Sequence, residues 1–275
     1  MVRINKYLAT CEIGSRRSVE ALIKEGKVSI NDIIVHDLSM KIDPNKDIVK
    51  VNDKKVNNNP QKLFIMLNKP KGYIVTKNDE FNRKTIYNLL PEFASKLHPI
   101  GRLDNDSEGL ILLTNDGDIT NKIIHPSSQV EKTYKVIIKG NIPMENIQKL
   151  RSGIDIDGSP NNLNNKRKIN YTTQPAKVFL NNSSDEKSEI RIAIKEGKNR
   201  QIRKMFEALG HQITTLKRLQ VGQIKLEKLP TGMWRFLKDN EILYLLKLSH
   251  GKQHPFPSSG GVRGGQQNKH KRDKQ

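Results

Sequence analysis

Cysteine is almost absent from this chain. Cys11 is the only one, so no intrachain disulfide can form. No Cys or His pairs stand at ligand spacing either, which argues against a structural zinc site. No apolar stretch approaches the length of a transmembrane helix and the mean hydropathy is -0.67, so no membrane partner is expected. The opening residues, Met-Val-Arg-Ile-Asn-Lys, lack the apolar core of a secretory signal. A reducing, cytoplasmic compartment is the resulting expectation. Acidic residues are also scarce beside basic ones: 29 Asp and Glu face 49 Lys and Arg, a net charge of +20. Solubility requires far less, and a polyanion, nucleic acid before membrane, is the natural partner of such a surface.

The 275 residues exceed one typical domain, and two domains plus a tail are expected. Residues 1–58 read as a small separate module. Ile4, Tyr7, Leu8 and Cys11 share one helical face, Gly14 is expected to close that helix, and Ser15 to cap a second helix over 16–25. Val28-Ser29-Ile30, Asn31-Asp32 and Ile33-Ile34-Val35 then read as strand, tight turn and strand. Arg3, Lys6, Arg16, Arg17, Lys24 and Lys27 all fall on the helices or at their ends. That placement gives one basic face for RNA, or else an ordinary solvated helix surface.

Asn57-Asn58-Asn59-Pro60 is polar and broken by proline, and reads as a linker. The second domain is expected over 59–248. Its pattern predicts a buried strand at 63–67, a turn at 68–72, a returning strand at 73–76, and a short helix over 85–90. Further strands are expected at 133–139, 176–180, 189–195 and 212–216, a helix over 199–209, and a variable loop over 157–173. The apolar segments 224–229, 233–237 and 242–248 close the folded part. Residues 249–275 carry six Lys and Arg against one Asp and read as a disordered basic tail. Mixed helices and strands of this kind make an α+β protein.

Between Gly101 and Gly117 the chain reads Gly-Arg-Leu-Asp-Asn-Asp-Ser-Glu-Gly-Leu-Ile-Leu-Leu-Thr-Asn-Asp-Gly. A polar loop feeding a buried strand is a good mount for a reactive group, because the strand fixes the loop and glycines let a ligand approach the backbone. Asp104 is the candidate, with a turn former as the plainer role. After it, Asn115-Asp116-Gly117-Asp118 starts either a helix or a hairpin. Tyr134 lies on a strand with Val136 and Ile138 on its face, the usual situation of a core aromatic. Arg203 borders the apolar stripe Ile202, Met205, Phe206 and Leu209 of its helix, placed to pair across a cleft with a carboxylate or along the helix with Glu207.

Three stretches together resemble one family. Gly101-Arg102-Leu103-Asp104 with Ser107, Gly109-Leu110, Thr114, Asp116 and Gly117, then Lys132-Thr133-Tyr134, then Gly197-Lys198-Asn199-Arg200-Gln201-Ile202-Arg203, are similar to the motifs of pseudouridine synthases of the RsuA and RluB branch. The first module, with Gly14-Ser15-Arg16-Arg17, Glu20 and Gly26-Lys27-Val28, resembles the S4 RNA-binding domain that precedes the catalytic domain in that branch. The resemblance implies a mixed, mainly antiparallel catalytic sheet with flanking helices. It implies isomerisation of a uridine in ribosomal RNA, the large-subunit RNA preferred, without metal or organic cofactor; a monomer is the default expectation. The rival expectations are a small-subunit or transfer RNA target, and a non-catalytic RNA-binding assembly factor on the same scaffold. In the favoured reading Asp104 is the nucleophile, Arg203 holds it, and Tyr134 stacks on the flipped base. Arg102 and Ile202 contact substrate. Arg3, Lys6, Arg16, Arg17, Lys27, Lys198, Arg200 and Lys204, with Lys217 and Arg218, hold RNA.

Overall fold

A computed structural model describes residues 1–56, 61–157 and 170–250. The expected linker at 57–60, most of the expected variable loop and the basic tail from 251 onward lie outside the described residues.

The first 56 residues build their own core. β1 (Val2–Arg3) leads into α1 (Ile4–Thr10) and α2 (Arg16–Lys24), followed by β2 (Val28–Ile30), β3 (Ile33–Ile34), β4 (Lys41–Ile42), β5 (Val49–Val51) and β6 (Lys54–Lys55). β1 pairs with β4, and the others form a four-stranded sheet in the order β3-β2-β5-β6. Ile4, Leu8, Val19, Ile23, Val28, Ile42 and Val49 pack between helices and strands. The Ser15 side chain accepts a hydrogen bond from the Ser18 amide at 3.1 Å, the expected cap. Asn31 and Asp32 both take positive φ, as a two-residue hairpin turn requires. One expectation is corrected: Glu12, at φ 62°, makes the left-handed turn that ends α1, and Gly14 stands free of that duty. A Cβ on Gly14 would lie 2.6 Å from Ser18 Oγ, so its small size serves the cap of α2 instead.

The larger unit is organised on a nine-stranded sheet. Its strands are β7 (Phe64–Lys69), β8 (His98–Pro99), β9 (Glu108–Thr114), β10 (Lys132–Lys139), β13 (Lys177–Ser183), β14 (Lys187–Ile194), β15 (Ile213–Val221), β16 (Ile224–Lys225) and β17 (Trp234–Phe236). β11 (Asp155–Ile156) and β12 (Tyr171–Thr172) pair separately. The main path runs β13-β14-β10-β15-β9-β7-β17, with β16 on β15 and β8 on β9. Every pairing in it is antiparallel except β15 with β9, which makes the fold mixed α+β as expected. Side chains of β7 and β9 alternate between two cores. Phe64, Met66, Leu110 and Leu112 face α3 (Gly117–Ile124) and α6 (Asp239–His250), while Ile65, Leu67, Ile111 and Leu113 face the segment from Ile86 to Leu97. Burial on both faces is why these strands read as unbroken apolar runs. Across the sheet, β10, β13, β14 and β15 share a third core with α4 (Met144–Ser152) and α5 (Gln201–Ala208).

The ambiguous Asn115-Asp116-Gly117-Asp118 opens a helix, with the Asp116 carboxylate accepting from the amides of Asp118 and Ile119. The strand expected at 73–76 does not form. β7 takes β9 and β17 as its neighbours, leaving this segment a single bridge between Ile74 and Thr85. The final apolar run is helix α6, and α4 was not anticipated.

Candidate active site

Asp104 sits in the loop that leads into β9, and the sheet fixes that loop at both ends. Downstream lies the one parallel junction, where Gly109 faces Arg218 of β15. Gly109 has φ +104°, and a Cβ there would come within 2.3 Å of the Arg218 carbonyl oxygen. Glycine alone permits that approach. Upstream, the Ile100 amide donates to Leu112 O at 2.7 Å, and the Ser107 amide donates to Asp104 O at 3.1 Å, closing a turn with Asn105 and Asp106 at its tip.

Two buried cations lie beneath the turn. Lys69, the last residue of β7, is fully buried, and its Nζ donates to the carbonyl oxygens of Ser107 at 2.7 Å, Pro70 at 3.0 Å and Asn105 at 3.4 Å. Burial pushes its ammonium down to about 8, against the upward pull of Asp104, Asp106 and Glu108. Arg218 is buried as well; its Nε donates to Leu110 O at 2.7 Å and its Nη1 to Arg102 O at 3.5 Å. Carbonyl oxygens along the loop are thereby held by positive charge in place of water. Arg218, expected on an RNA-facing surface, points inward instead. Its spacing from buried Leu216 on the same strand face carried that signal. Lys69, expected in a turn, continues the buried strand.

Helix α5 stands over the same turn. Arg200 takes φ 50° immediately before it, and buried Gln201 locks that conformation: its Oε1 accepts from the Lys198 amide at 3.0 Å and its Nε2 donates to Glu196 at 2.5 Å. The helix therefore begins at Gln201, later than expected. Arg203 contacts neither Asp104 nor Glu207. Its Nη2 donates to Asp106 O at 3.0 Å and Ser107 Oγ at 3.3 Å, and its Nε lies 3.2 Å from Asp106 Oδ2. Closure of the turn by the Ser107 amide carries Asp106 and Ser107, ahead of Asp104, to the flank of α5 where Arg203 projects. Burial pulls the Arg203 guanidinium below its usual range, opposed by Asp106 and more weakly by Asp104. Asp104 itself has one long ionic contact, 3.7 Å to Arg200 Nη1, and its side chain is 35% exposed. Its carboxylate accepts no hydrogen bond among the described residues, so its lone pairs remain open to a ligand.

The floor of the site is apolar. Leu103, Tyr134 and Ile202 belong to one buried cluster, with Val75 packed against it. Tyr134 lies opposite Ile192 on β14 and Arg218 on β15. Three motifs far apart in the chain thus meet around the Asp104 loop. Asp106, Lys69, Arg218, Leu103 and Gln201 complete the arrangement without having been singled out for these roles.

The basic residues divide. Arg3, Arg16, Arg17 and Arg102 are exposed, and the first three form no ion pair among the described residues. Lys6 instead pairs with Asp118 of α3 at 2.6 Å, and Lys27 with Glu25 at 2.7 Å. Glu12 receives Asn115 Nδ2 at 2.6 Å and Lys96 Nζ at 3.4 Å. Lys6 therefore joins the two units, its charge already matched. Lys198 rests its ammonium 3.4 Å from the centre of the Tyr171 ring, and Lys204 donates to Asp157 O at 2.8 Å. Lys217 is half-buried on β15.

Comparison with known proteins matches residues 63–208 to the RNA pseudouridylate synthase family and residues 2–48 to the S4 domain. A ribosomal large subunit pseudouridine synthase B of Bacillus subtilis is 38% identical over 255 residues, covering 92% of this chain and 99% of its own. A protein of the same description from Vibrio vulnificus is 32% identical over 252 residues, covering 90% of this chain and 75% of its own. A crystal structure of a pseudouridylate synthase superposes with a TM-score of 0.61 at 32% identity, covering 89% of this chain and 100% of its own.

Proposed function

The chain belongs to the RNA pseudouridylate synthase family, and from that premise we propose that it isomerises a uridine of large-subunit ribosomal RNA, with Asp104 as the reacting carboxylate. One observation carries the assignment of Asp104. Its neighbours in the loop are tied down by Lys69, Arg218 and Arg203, while its own oxygens accept no hydrogen bond among the described residues and stay partly open to solvent. The choice of large-subunit RNA rests on the two relatives of that description.

In this reading the target uridine leaves its stack, at a cost of a few kcal/mol, and enters over Leu103, Tyr134 and Ile202. Asp104 attacks at C1′ or C6, or assists loss of the uracil. The N1–C1′ bond breaks, a C5–C1′ bond forms, C5 gives up its proton and N1 gains one. The product is an isomer, so no electrons enter or leave. Tyr134 packs against the base and participates in removal of the C5 proton. Arg203 acts as a positioning residue through Asp106 and Ser107, keeping the turn closed with its charge near Asp104. Arg102, exposed beside Asp104, takes the vacated position or a phosphate. Arg3, Arg16, Arg17 and the basic residues around α5 hold the RNA backbone, within a division of the chain into an S4 domain over 1–58, a catalytic domain over 59–248 and a basic tail. We further infer a cytoplasmic monomer.

The test uses a large-subunit ribosomal RNA transcript with tritium at uridine C5. The wild-type chain should release tritium to water, and Asp104→Asn should abolish release while RNA binding is largely retained. Release undiminished by Asp104→Asn would sink the assignment. A map of pseudouridine in a deletion strain gives the target, and loss of a site in small-subunit or transfer RNA would move it there.

A further inference from the structure

The segment between Ile74 and Ile86 is a closed loop that touches the site described above through Val75 alone among the residues named there. Its ends are joined where the Ile74 amide donates to Lys84 O at 2.9 Å and the Ile86 amide to Ile74 O at 3.0 Å. Inside it, Asp79 is almost buried and takes Arg83 through the Arg83 amide, Nε and Nη2, at 2.5 to 3.2 Å. Thr76 Oγ1 donates to Asn78 O at 2.7 Å. The loop is therefore shaped before any ligand arrives. At its tip Phe81 is 74% exposed, and the Arg83 guanidinium lies 5.1 Å from its ring centroid. An aromatic ring so open to water gains nothing from the protein core, and loop order sustained by a nearly buried Asp79 holds it outward.

The loop is also joined to the active site. The Gly72 amide donates to Asn105 O in the Asp104 turn at 2.8 Å, and Val75 packs on the cluster holding Leu103, Tyr134 and Ile202. Five residues lie between Val75 and Phe81, so the Cα of Phe81 lies within about 22 Å of that of Val75 at the pocket floor. Lys84 nearby is exposed, Arg83 is matched by Asp79, and a cleft of about 490 Å³ in the same loop is lined by Tyr73, Lys77, Asn82 and Lys84 among others. An exposed aromatic among cations, rigidly presented, is the arrangement that stacks on unpaired bases while the cations meet phosphate.

We propose that Phe81 stacks on an unpaired base of the RNA strand flanking the target uridine, making this loop a second hold on the substrate; the inference rests on the isomerase reading above. The full chain and its Phe81→Ala, Phe81→Leu and Phe81→Trp variants are assayed in two ways. In tritium release from the large-subunit transcript, Phe81→Ala and Phe81→Leu should raise KM about tenfold with the saturating rate unchanged, and Phe81→Trp should match wild type. With a single-stranded oligoribonucleotide containing 2-aminopurine, wild type and Phe81→Trp should quench the base on binding, and Phe81→Ala and Phe81→Leu should not. Phe81→Ala with wild-type KM and quenching overturns the proposal and leaves the isomerase reading standing. Quenching that depends on Phe81, from a chain that releases no tritium, upholds the stacking and overturns that reading.

Discussion

Replacing Lys69 with methionine keeps an unbranched side chain of similar length and removes one buried charge. In the folded protein burial holds the Lys69 ammonium at about 8, against 10.5 for an ordinary lysine. Below pH 8 the residue is protonated whether the chain is folded or unfolded, so it adds no pH dependence. Between pH 8 and 10.5 the folded protein gives up this proton first, the unfolded chain binds more protons, and stability rises with pH. At about 1.4 kcal/mol per pH unit the gap amounts to roughly 3 kcal/mol. Methionine has no such response. Urea titrations of both proteins from about pH 7 to about pH 10.5 should therefore show the difference in stability moving in favour of wild type by roughly 3 kcal/mol. A difference that stays flat or moves the other way would refute the placement of a cation under the loop. Methionine also leaves the carbonyl of Ser107 without its donor and that of Asn105 with the Gly72 amide alone. Displacement of Asp104 by about 1 Å costs on the order of a hundredfold in rate, so turnover should fall by about that much with RNA binding preserved.

Gly109→Ala should destabilise the chain by about 3–5 kcal/mol, because the added Cβ meets rigid backbone at the parallel junction and φ +104° strains any L side chain; calorimetry giving a Tm within about 2 °C of wild type would contradict this. The exposed arginines and Lys6 should separate in their salt dependence. Arg16→Ala and Arg17→Ala should each reduce the slope of log affinity against log salt by about 1, whereas Lys6→Ala, whose charge is matched by Asp118, should leave it nearly unchanged. Equal effects at Lys6 and Arg16, measured by filter binding over a salt series, would rule out the ion pair as a stable contact.

Much of the fold followed from local chemistry. The Ser15 cap and the Asn31-Asp32 turn involve residues near in sequence, and the unbroken apolar runs of β7 and β9 mark strands buried on both faces. The returning strand at 73–76 failed for a non-local reason. A β-prone segment needs a partner edge, and β9 and β17 already occupied both edges of β7. Helix α6 read only as an apolar run, since short apolar stretches do not distinguish strand from buried helix.

At the site, residue types left Asp104, Tyr134 and Arg203 each with a plainer role, and the resemblance of three motifs to one family singled them out. Tertiary structure decided which groups touch. It sent Arg203 to Asp106, buried Lys69 and Arg218 beneath the loop, and matched Lys6 with Asp118. Those outcomes depend on pairing across the sheet and on one closed turn, where the partners lie from about 40 to more than 100 residues apart. A motif records which side chains are present; three-dimensional packing determines which carbonyl or carboxylate each of them meets, because burial makes every unmatched charge costly and leaves few arrangements that satisfy them all.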